Sequence, residues 1–323
     1  AYAPSEGLLE SREGWSAFFA SWGIDFQPDE ILVTAGASEA ITFALSVVAG
    51  GGDEVLVFEP CYTNYLSFAA QADVKMVPIT LKVEDGYHFD DIDRLRRCVT
   101  GKTRAILLCN PSNPTGTVYT ESELDAVAQI AVEHDLFVIC DEVYREFVFG
   151  AGDVRSFTRY SDLAQRIIVV DSVSKRFNAC GVRIGCLATK NREVLDVTLR
   201  FCQARLSVAT AEQLMVVPML REGRAYSERL CIEYEKRRDA VYAGLKLLDG
   251  VTPHLSEGSF YTMTRLPITS CEDFAAWLLK DFSFEGRTIC LAPGEPDDLN
   301  PTLGLVYKSD AYEEDAVTMR GAR

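Results

Sequence analysis

The stretch Asp171–Gly185, DSVSKRFNACGVRIG, decides the fold assignment because it places one lysine between two apolar segments. Lys175 follows the apolar run Arg166–Asp171, which predicts a buried strand. A lysine is more often a solvated surface amine, but burial and the nearby Arg183 would both lower the pKa of this amine. A lysine with a lowered pKa is a nucleophile of the kind that forms Schiff bases. Arg183 and Ser172 would also supply a guanidinium fork and a hydroxyl, which are suitable partners for a phosphate.

Outward from this stretch, short apolar runs alternate with longer amphipathic ones from the start of the chain to about residue 217. This alternation predicts an α/β fold with a mostly parallel sheet flanked by helices. Helices are predicted over Ser38–Val48 and Glu121–His134. The predicted strands, each apolar enough to be buried on both faces, are Ile31–Thr34, Glu54–Phe58, Lys75–Ile79, Thr103–Cys109, Leu136–Asp141, Arg166–Asp171 and Ile184–Thr189.

The character of the sequence changes at about Tyr226, where a long charged helix begins. Short strands and an amphipathic helix over Cys271–Phe282 follow it. We therefore predict a large domain of residues 1–222 and a smaller C-terminal α+β domain of residues 223–323.

Composition excludes several classes of protein. The net charge of −16 is spread along the chain, which argues against a nucleic-acid partner and favours a soluble, cytoplasmic protein. The ten cysteines are scattered and often lie in apolar runs, so we expect small buried hydrophobic residues rather than disulfides. With no CxxC pair and only His88, His134 and His254, no metal site is expected. No apolar stretch approaches the roughly 20 residues of a membrane span.

Three further segments carry polar residues at the ends of predicted strands. Asn110–Gly116, NPSNPTG, is a Pro/Asn turn taken alone. Asp141 ends an apolar strand, where ligands of parallel sheets bind, although a strand-terminal aspartate can also be a helix cap. Gly36, Ala37 and Ser38 join a strand to a helix, and this helix start is either an anion cradle or a plain turn capped by serine.

In order and spacing, these segments resemble the class I/II aminotransferases of fold type I, in particular the aspartate-aminotransferase-like members, which use pyridoxal 5′-phosphate (PLP). The pattern S-x-S-K-x-F-x-x-x-G-x-R-I-G in the first stretch is similar to their lysine signature. The resemblance implies that Lys175 holds PLP as a Schiff base and acts as general acid and base. Asp141 would pair with the pyridine nitrogen, and Asn113 and Tyr144 with the phenolic oxygen. The phosphate would be held by Gly36, Ala37, Ser38, Ser172 and Arg183.

Two aromatic residues extend the resemblance. Tyr62 occupies the place of the family's ring-stacking aromatic residue, although a buried core tyrosine is the ordinary alternative. The opening segment, YAPSEGLLESRE, is similar to a family segment whose tyrosine, here Tyr2, reaches the phosphate of the neighbouring subunit. A homodimer is therefore implied. Ser11 stands where the family usually has leucine.

The chain also departs from the family. Family members have several dozen residues before the segment that opens this chain, so we expect their N-terminal arm to be absent. The family binds the substrate α-carboxylate through a C-terminal arginine, and Gly304 stands at that position in TLGLVY. Arg320 and Arg323 come too late to replace it. The cofactor site is therefore predicted more fully than the substrate site.

The resemblance implies transamination between an L-amino acid and a 2-oxo acid, with aspartate and 2-oxoglutarate favoured. One alternative keeps PLP and changes the bond broken, as in the related β-lyases and synthases. Another is an impaired PLP-binding sensor domain, since relatives of this fold serve as effector-binding parts of transcription regulators. The chain shows no helix-turn-helix or basic segment that would favour the sensor.

Overall fold

The computed structural model describes residues 2–150, 152 and 155–294, together with the backbone of residues 302–306. Its centre is a seven-stranded sheet with the order β1-β7-β6-β5-β4-β2-β3. β7 runs antiparallel to both neighbours and the other ladders are parallel, so the predicted mostly parallel sheet is confirmed. The strands are β1 (Ile31–Thr34), β2 (Glu54–Glu59), β3 (Lys75–Thr80), β4 (Thr103–Cys109), β5 (Phe137–Asp141), β6 (Ile167–Ser172) and β7 (Gly185–Ala188).

Helices cover both faces of this sheet. The helices among the described residues are α1 (Leu9–Ala20), α2 (Ala37–Val48), α3 (Asn64–Gln71), α4 (Ile92–Cys98), α5 (Glu121–Glu133), α6 (Val173–Arg176), α7 (Arg192–Ala204), α8 (Thr210–Glu222), α9 (Arg224–Leu245) and α10 (Cys271–Lys280). Alternate strand residues face opposite sides: Ile106 and Leu108 pack with α1, α4, α5 and α8, whereas Ala105 and Leu107 pack with α2, α3 and α7. The central strands are therefore buried on both faces, as predicted.

The edge strand β3 is the exception. Lys75 and Pro78 are exposed and only Ile79 is buried, so the expectation that this strand is buried on both faces is wrong. β3 pairs with β2 alone and forms the border of the sheet, where neighbouring helices cover it less completely. A lysine and a proline at an edge also hinder pairing with another chain.

The C-terminal part contains a four-stranded sheet in the order β10-β11-β9-β8. Its strands are β8 (Thr252–Pro253), β9 (Tyr261–Arg265), β10 (Ala292–Pro293) and β11 (Thr302–Val306). Gly304 lies in β11 opposite Met263 of β9, while Arg320 and Arg323 lie outside the described residues. α8 ends at Glu222 and Gly223 adopts φ +67° before α9, but the division into domains at residue 222 stays a prediction.

The structure also describes the burial of the cysteines and the hydropathy of the helices, for which the composition gave expectations. Cys140, Cys186 and Cys202 are buried, as expected for small hydrophobic residues, but Cys290 is exposed and the expectation is wrong for it. In the part of the chain that the structure describes, no helix is long and apolar enough to cross a membrane.

Candidate active site

A cavity of about 130 Å³ lies at the carboxyl ends of β4, β5 and β6, the edge where ligands of parallel sheets bind. Tyr2 does not line it and its side chain is 79 % exposed. Gly36 directly precedes the α2 residues of the cavity wall. The predicted residues that the structure brings together around this cavity are Ala37, Ser38, Tyr62, Asn113, Asp141, Tyr144, Ser172, Lys175 and Arg183.

The turn between β1 and α2 is shaped for a close approach by Arg183. Gly36 has φ +85°, and a Cβ built on it would lie 2.4 Å from Nη2 of Arg183. That nitrogen donates a hydrogen bond to the carbonyl of Ala35 over 3.2 Å. Gly185 is equally constrained, because a Cβ there would lie 2.7 Å from the backbone of Gly36. No side chain caps the start of α2, so its first amides and the guanidinium together suit an anion.

Lys175 lies in the short helix α6, directly after β6. The Ser172 hydroxyl caps this helix by accepting a hydrogen bond from the amide of Ser174 over 3.1 Å. Nζ of Lys175 lies 5.9 Å from the centroids of the Tyr144 and Phe260 rings. The amine is therefore directed into an aromatic part of the cavity.

The expected lowering of the Lys175 pKa is wrong. Burial lowers it, but the electrostatic effects of Tyr261, Cys180, Tyr62 and Asp141 together raise the pKa of the amine above its usual value. The sequence neighbours that led to the expectation included a cation, Arg183, whereas distant segments bring phenols and a carboxylate to the amine. The amine of the cofactor-free chain is consequently cationic at neutral pH.

Asp141 ends β5 and is buried, with 4 % of its surface exposed. Its Oδ2 accepts a hydrogen bond from the hydroxyl of Tyr65 over 2.6 Å, and its Oδ1 accepts one from the amide of Val143 over 3.3 Å. Burial is the main reason that the pKa of Asp141 rises to about 6, and the hydrogen bond from Tyr65 opposes that rise. The carboxyl group is therefore mostly ionised at neutral pH despite its burial.

Two residues of this site were missed by the sequence interpretation. Tyr65 lies in the first turn of α3, and Tyr62 lies just before that helix, with the two ring centroids 5.4 Å apart. A second tyrosine this close to Tyr62 in the sequence is a signal that could have identified it. Tyr261 lies on β9 of the second sheet and accepts a hydrogen bond from the Tyr144 hydroxyl over 2.9 Å. Its sequence context predicts only a short strand, so no local signal places it here.

The loop that carries Asn113 is braced by the C-terminal part of the chain. The carbonyl of Gly116 accepts hydrogen bonds from the amides of Glu257 over 2.9 Å and Gly258 over 2.7 Å. A Cβ on Gly258 would lie 2.6 Å from the carbonyl oxygen of Phe147, so the two backbones meet closely. Asn113 is thus held between β4 and the turn that leads into β9.

A larger cavity of about 630 Å³ lies elsewhere, between the end of α1 and the segment that follows residue 155. Its cationic side chains have partners: Arg155 and Arg159 contact Glu121, and Lys190 contacts Asp25 and Glu30. It includes none of the predicted site residues. The smaller cavity, where the chemically reactive groups converge, is therefore the candidate active site.

The fold and the site together define the class of protein. A lysine and a carboxylate lie at the ends of adjacent strands of an α/β sheet, next to an uncapped helix start and an arginine, and this is the arrangement of PLP-dependent enzymes of fold type I. The family model described as aminotransferase class I and II matches residues 1–284. The chain belongs to the class I and II aminotransferase family.

The chain is similar to several aminotransferases whose names give different substrates. Aromatic-amino-acid aminotransferase 2 of Thermococcus litoralis is 32 % identical over 87 % of this chain and 73 % of its own length. The structure of N-succinyldiaminopimelate aminotransferase from Mycobacterium tuberculosis has a TM-score of 0.87 at 31 % identity, covering 96 % of this chain and 82 % of that one. Aspartate aminotransferase from Thermus thermophilus with maleate has a TM-score of 0.84 at 29 % identity, covering 96 % and 80 %.

Membership of this family establishes the cofactor and the type of reaction. Class I and II aminotransferases depend on PLP, and the chain is a transferase that moves amino groups between small molecules. The residues present fit PLP: an amine, an acid mostly ionised at neutral pH and an anion cradle surround one cavity. The individual roles of these residues stay predictions.

Proposed function

We propose that this aminotransferase moves the amino group of an L-amino acid, with aspartate preferred, to a 2-oxo acid such as 2-oxoglutarate. The observation that carries the proposal is the convergence of the Lys175 amine and the Asp141 carboxylate on one cavity. PLP, when bound, supplies an aldehyde for the amine and a ring that accepts electrons. The names of relatives support aspartate, because aspartate aminotransferases occur among the similar proteins and structures.

Each residue of the cavity has a proposed role that follows from its position. Lys175 would hold the cofactor through its Nζ, and as a free amine it would accept and return the proton of the substrate Cα. Asp141 keeps a negative charge at the ring nitrogen, and Asn113 and Tyr144 hold the ring oxygen. Tyr62 covers the ring face.

The phosphate end would be held by the uncapped start of α2 together with Arg183. Ala37 and Ser38 present backbone amides there, and Gly36 leaves room for the guanidinium. Ser172 lines the same cavity, although its hydroxyl also donates a hydrogen bond to the carbonyl of Ile184 over 3.1 Å.

Substrate selection is the open part of the proposal. Among the described residues that line the cavity, the cations are Lys175 and Arg183, and both are assigned to the cofactor. Gly304 offers no guanidinium for an α-carboxylate. The groups that bind substrate carboxylates are therefore to be sought in another copy of the chain or outside the described residues.

The test is turnover by the full chain loaded with PLP. Aspartate, alanine, phenylalanine and tyrosine are each supplied with 2-oxoglutarate, and the new 2-oxo acid is measured. We expect the highest kcat/KM with aspartate, and no turnover by Lys175→Ala. A tenfold higher kcat/KM for an aromatic amino acid would overturn the aspartate preference, and ammonia release without a new amino acid would indicate a lyase.

We also propose a cytoplasmic homodimer in which Tyr2 reaches the phosphate of the neighbouring copy. The exposure of Tyr2, 79 %, leaves its ring available to another chain, and the acidic net charge of −16 is compatible with the cytoplasm. Sedimentation of the full chain tests the dimer. Tyr2→Phe should weaken PLP binding and leave the dimer intact, whereas a monomer that binds PLP fully would contradict the arrangement.

A further inference from the structure

Directly behind the candidate active site lies a group of buried charged side chains that the proposed reaction does not use. We call it the ion cluster, and its members are Glu142, Arg145, Glu146, Asp171 and Arg176. None of them has more than 6 % of its surface exposed. Buried charges are costly to remove from water, and a cluster of this kind is often retained for structural specificity rather than for stability.

Each of four cluster members adjoins a residue of the cavity along the chain. The pairs are Asp141 with Glu142, Tyr144 with Arg145, Ser172 with Asp171, and Lys175 with Arg176. In every pair the first residue lines the cavity and the second is a buried member of the ion cluster. Ser172 and Asp171 are neighbours in β6, so strand geometry points them to opposite sides.

Asp171 is the central member, because its two oxygens bind different arginines. Its Oδ1 lies 2.5 Å from Nη2 of Arg176, and its Oδ2 lies 2.9 Å from Nη1 of Arg145. One carboxylate therefore connects the residue after Lys175 to the residue after Tyr144. These two segments have no ladder hydrogen bonds to each other, since one is helix α6 and the other is the turn after β5.

Arg145 and Arg176 also contact aromatic rings. The Arg176 guanidinium lies over the Phe18 ring at 4.2 Å and near the Trp15 ring at 5.7 Å, and Arg145 lies over Phe19 at 5.3 Å. These rings belong to α1. Asp171 on one side and aromatic faces on the other leave each guanidinium little freedom.

We propose that Asp171 is a positioning residue that, through Arg145 and Arg176, fixes the distance between the Lys175 amine and the Tyr144 hydroxyl. Asp171 touches neither substrate nor cofactor. It acts because each of its two oxygens accepts a hydrogen bond from a different guanidinium group, whereas an amide has only one accepting oxygen. The inference rests on the proposed function of Lys175 and Tyr144 in the PLP site.

Glu146 provides a matched control within the same cluster. Its Oε1 lies 3.0 Å from Nε of Arg176, yet neither of its oxygens accepts a hydrogen bond from the described residues. Burial raises the pKa of Glu146. Glu146→Gln and Asp171→Asn each replace one buried acid by its isosteric amide. Only Asp171→Asn removes hydrogen bonds to both arginines, because the Glu146–Arg176 ion pair, which joins the same turn to α6, has no hydrogen bond.

The experiment compares the two variants and the wild type as full chains freed of PLP and titrated with it. We expect Asp171→Asn to bind PLP about 10- to 100-fold more weakly, as a small misplacement of site residues does, and to shift the pH midpoint of the absorbance band of the bound cofactor. Glu146→Gln should bind within about twofold of wild type, because both hydrogen bonds from the arginines to Asp171 remain. Equal effects of the two variants, or no effect of Asp171→Asn, would overturn the inference.

Two checks separate this inference from other failures. If the wild type binds no PLP, the proposed function fails before the variants are compared. If Asp171→Asn does not fold, Arg145→Lys and Arg176→Lys replace it. If Asp171 connects the two arginines, the double variant should bind PLP no more weakly than the poorer single variant, because either change alone breaks the connection. Additive losses of PLP affinity in the double variant would contradict this connection.

Discussion

Removal of the Tyr65 hydroxyl is the sharpest perturbation of the candidate active site. Tyr65→Phe keeps the buried ring and deletes only the donor that lies 2.6 Å from Oδ2 of Asp141. The charged groups that face Asp141 from other segments, Lys175 and Asp171, are unchanged. The Tyr65 hydroxyl also contacts the Cys109 thiol. The variant therefore tests the hydrogen bond to the Asp141 carboxyl group while the charges around that group stay the same.

The magnitude follows from the difference between the two protonation states. A hydrogen bond to a charged group contributes about 1.5–3 kcal/mol, and one to a neutral group about 0.5–1.5 kcal/mol. A difference of about 1.4 kcal/mol corresponds to about one pH unit. The pKa of Asp141, raised by burial to about 6 in the wild type, should accordingly reach about 7 in the variant.

PLP affinity should follow the ionised fraction of Asp141, because the predicted partner of the carboxylate is a protonated ring nitrogen. At pH 7 that fraction falls from about nine-tenths to about one-half, a loss of about twofold in affinity. At pH 5 the loss grows to about tenfold, and above about pH 9 it disappears. The assay is PLP titration of the cofactor-free chain at each pH, with the Asp141 carboxyl carbon followed by NMR.

Tyr87→Phe is the matched control, since the Tyr87 hydroxyl is buried and has no hydrogen-bond partner among the described residues. It should leave the Asp141 titration and the PLP affinity unchanged at every pH. Identical titrations of Asp141 in Tyr65→Phe and in the wild type would refute the reasoning, and so would a loss of affinity that does not depend on pH.

Two further perturbations test the turn at Gly36 and the ion pairs of His88. Gly36→Ala forces a Cβ to within 2.4 Å of Arg183 at a φ of +85°, so PLP affinity should fall by about tenfold or more and stability by about 1–3 kcal/mol; unchanged affinity would contradict the anion cradle. His88 contacts Glu123 at 2.9 Å and Glu257 at 3.3 Å, and these carboxylates raise its pKa to about 10. Its stabilising effect is therefore complete below about pH 6.5 and is lost as the pH rises towards 10, so the difference in melting temperature between wild type and His88→Gln should shrink over that interval.

The sheet was predictable because its central strands are short, apolar and buried on both faces. Thr103–Cys109 matches β4 residue for residue, since nothing but the hydrophobic pattern was needed to find it. Lys75–Thr80 shows the limit of that pattern, because composition does not tell an edge strand from a central one. Position in a sheet depends on pairing partners far away in the sequence.

The candidate site was predictable only where its residues share a local motif. Lys175 and Arg183 lie eight positions apart and were found together. Tyr261 lies 117 residues from Tyr144, and Asp171 was visible only as a strand end. The direction of the Lys175 pKa shift was wrong for a related reason. Tyr261, Tyr62 and Asp141 raise this pKa from separate segments, and Cys180 of the same motif adds to them.

The brace at Gly116 has a mechanical consequence. Two consecutive amides, of Glu257 and Gly258, converge on a single carbonyl of the Asn113 loop, and Tyr261 follows three residues later. The same segment makes two more backbone hydrogen bonds, from Ser259 to the carbonyl of Phe147 and from Phe149 to that of Glu257. A displacement of the four-stranded sheet that keeps these bonds must pivot about this segment. Such a pivot moves the far strands through a wide arc while Tyr261, next to the axis, barely leaves Tyr144. The attachment of the four-stranded sheet to the Asn113 loop therefore lies beside the reactive groups of the cavity.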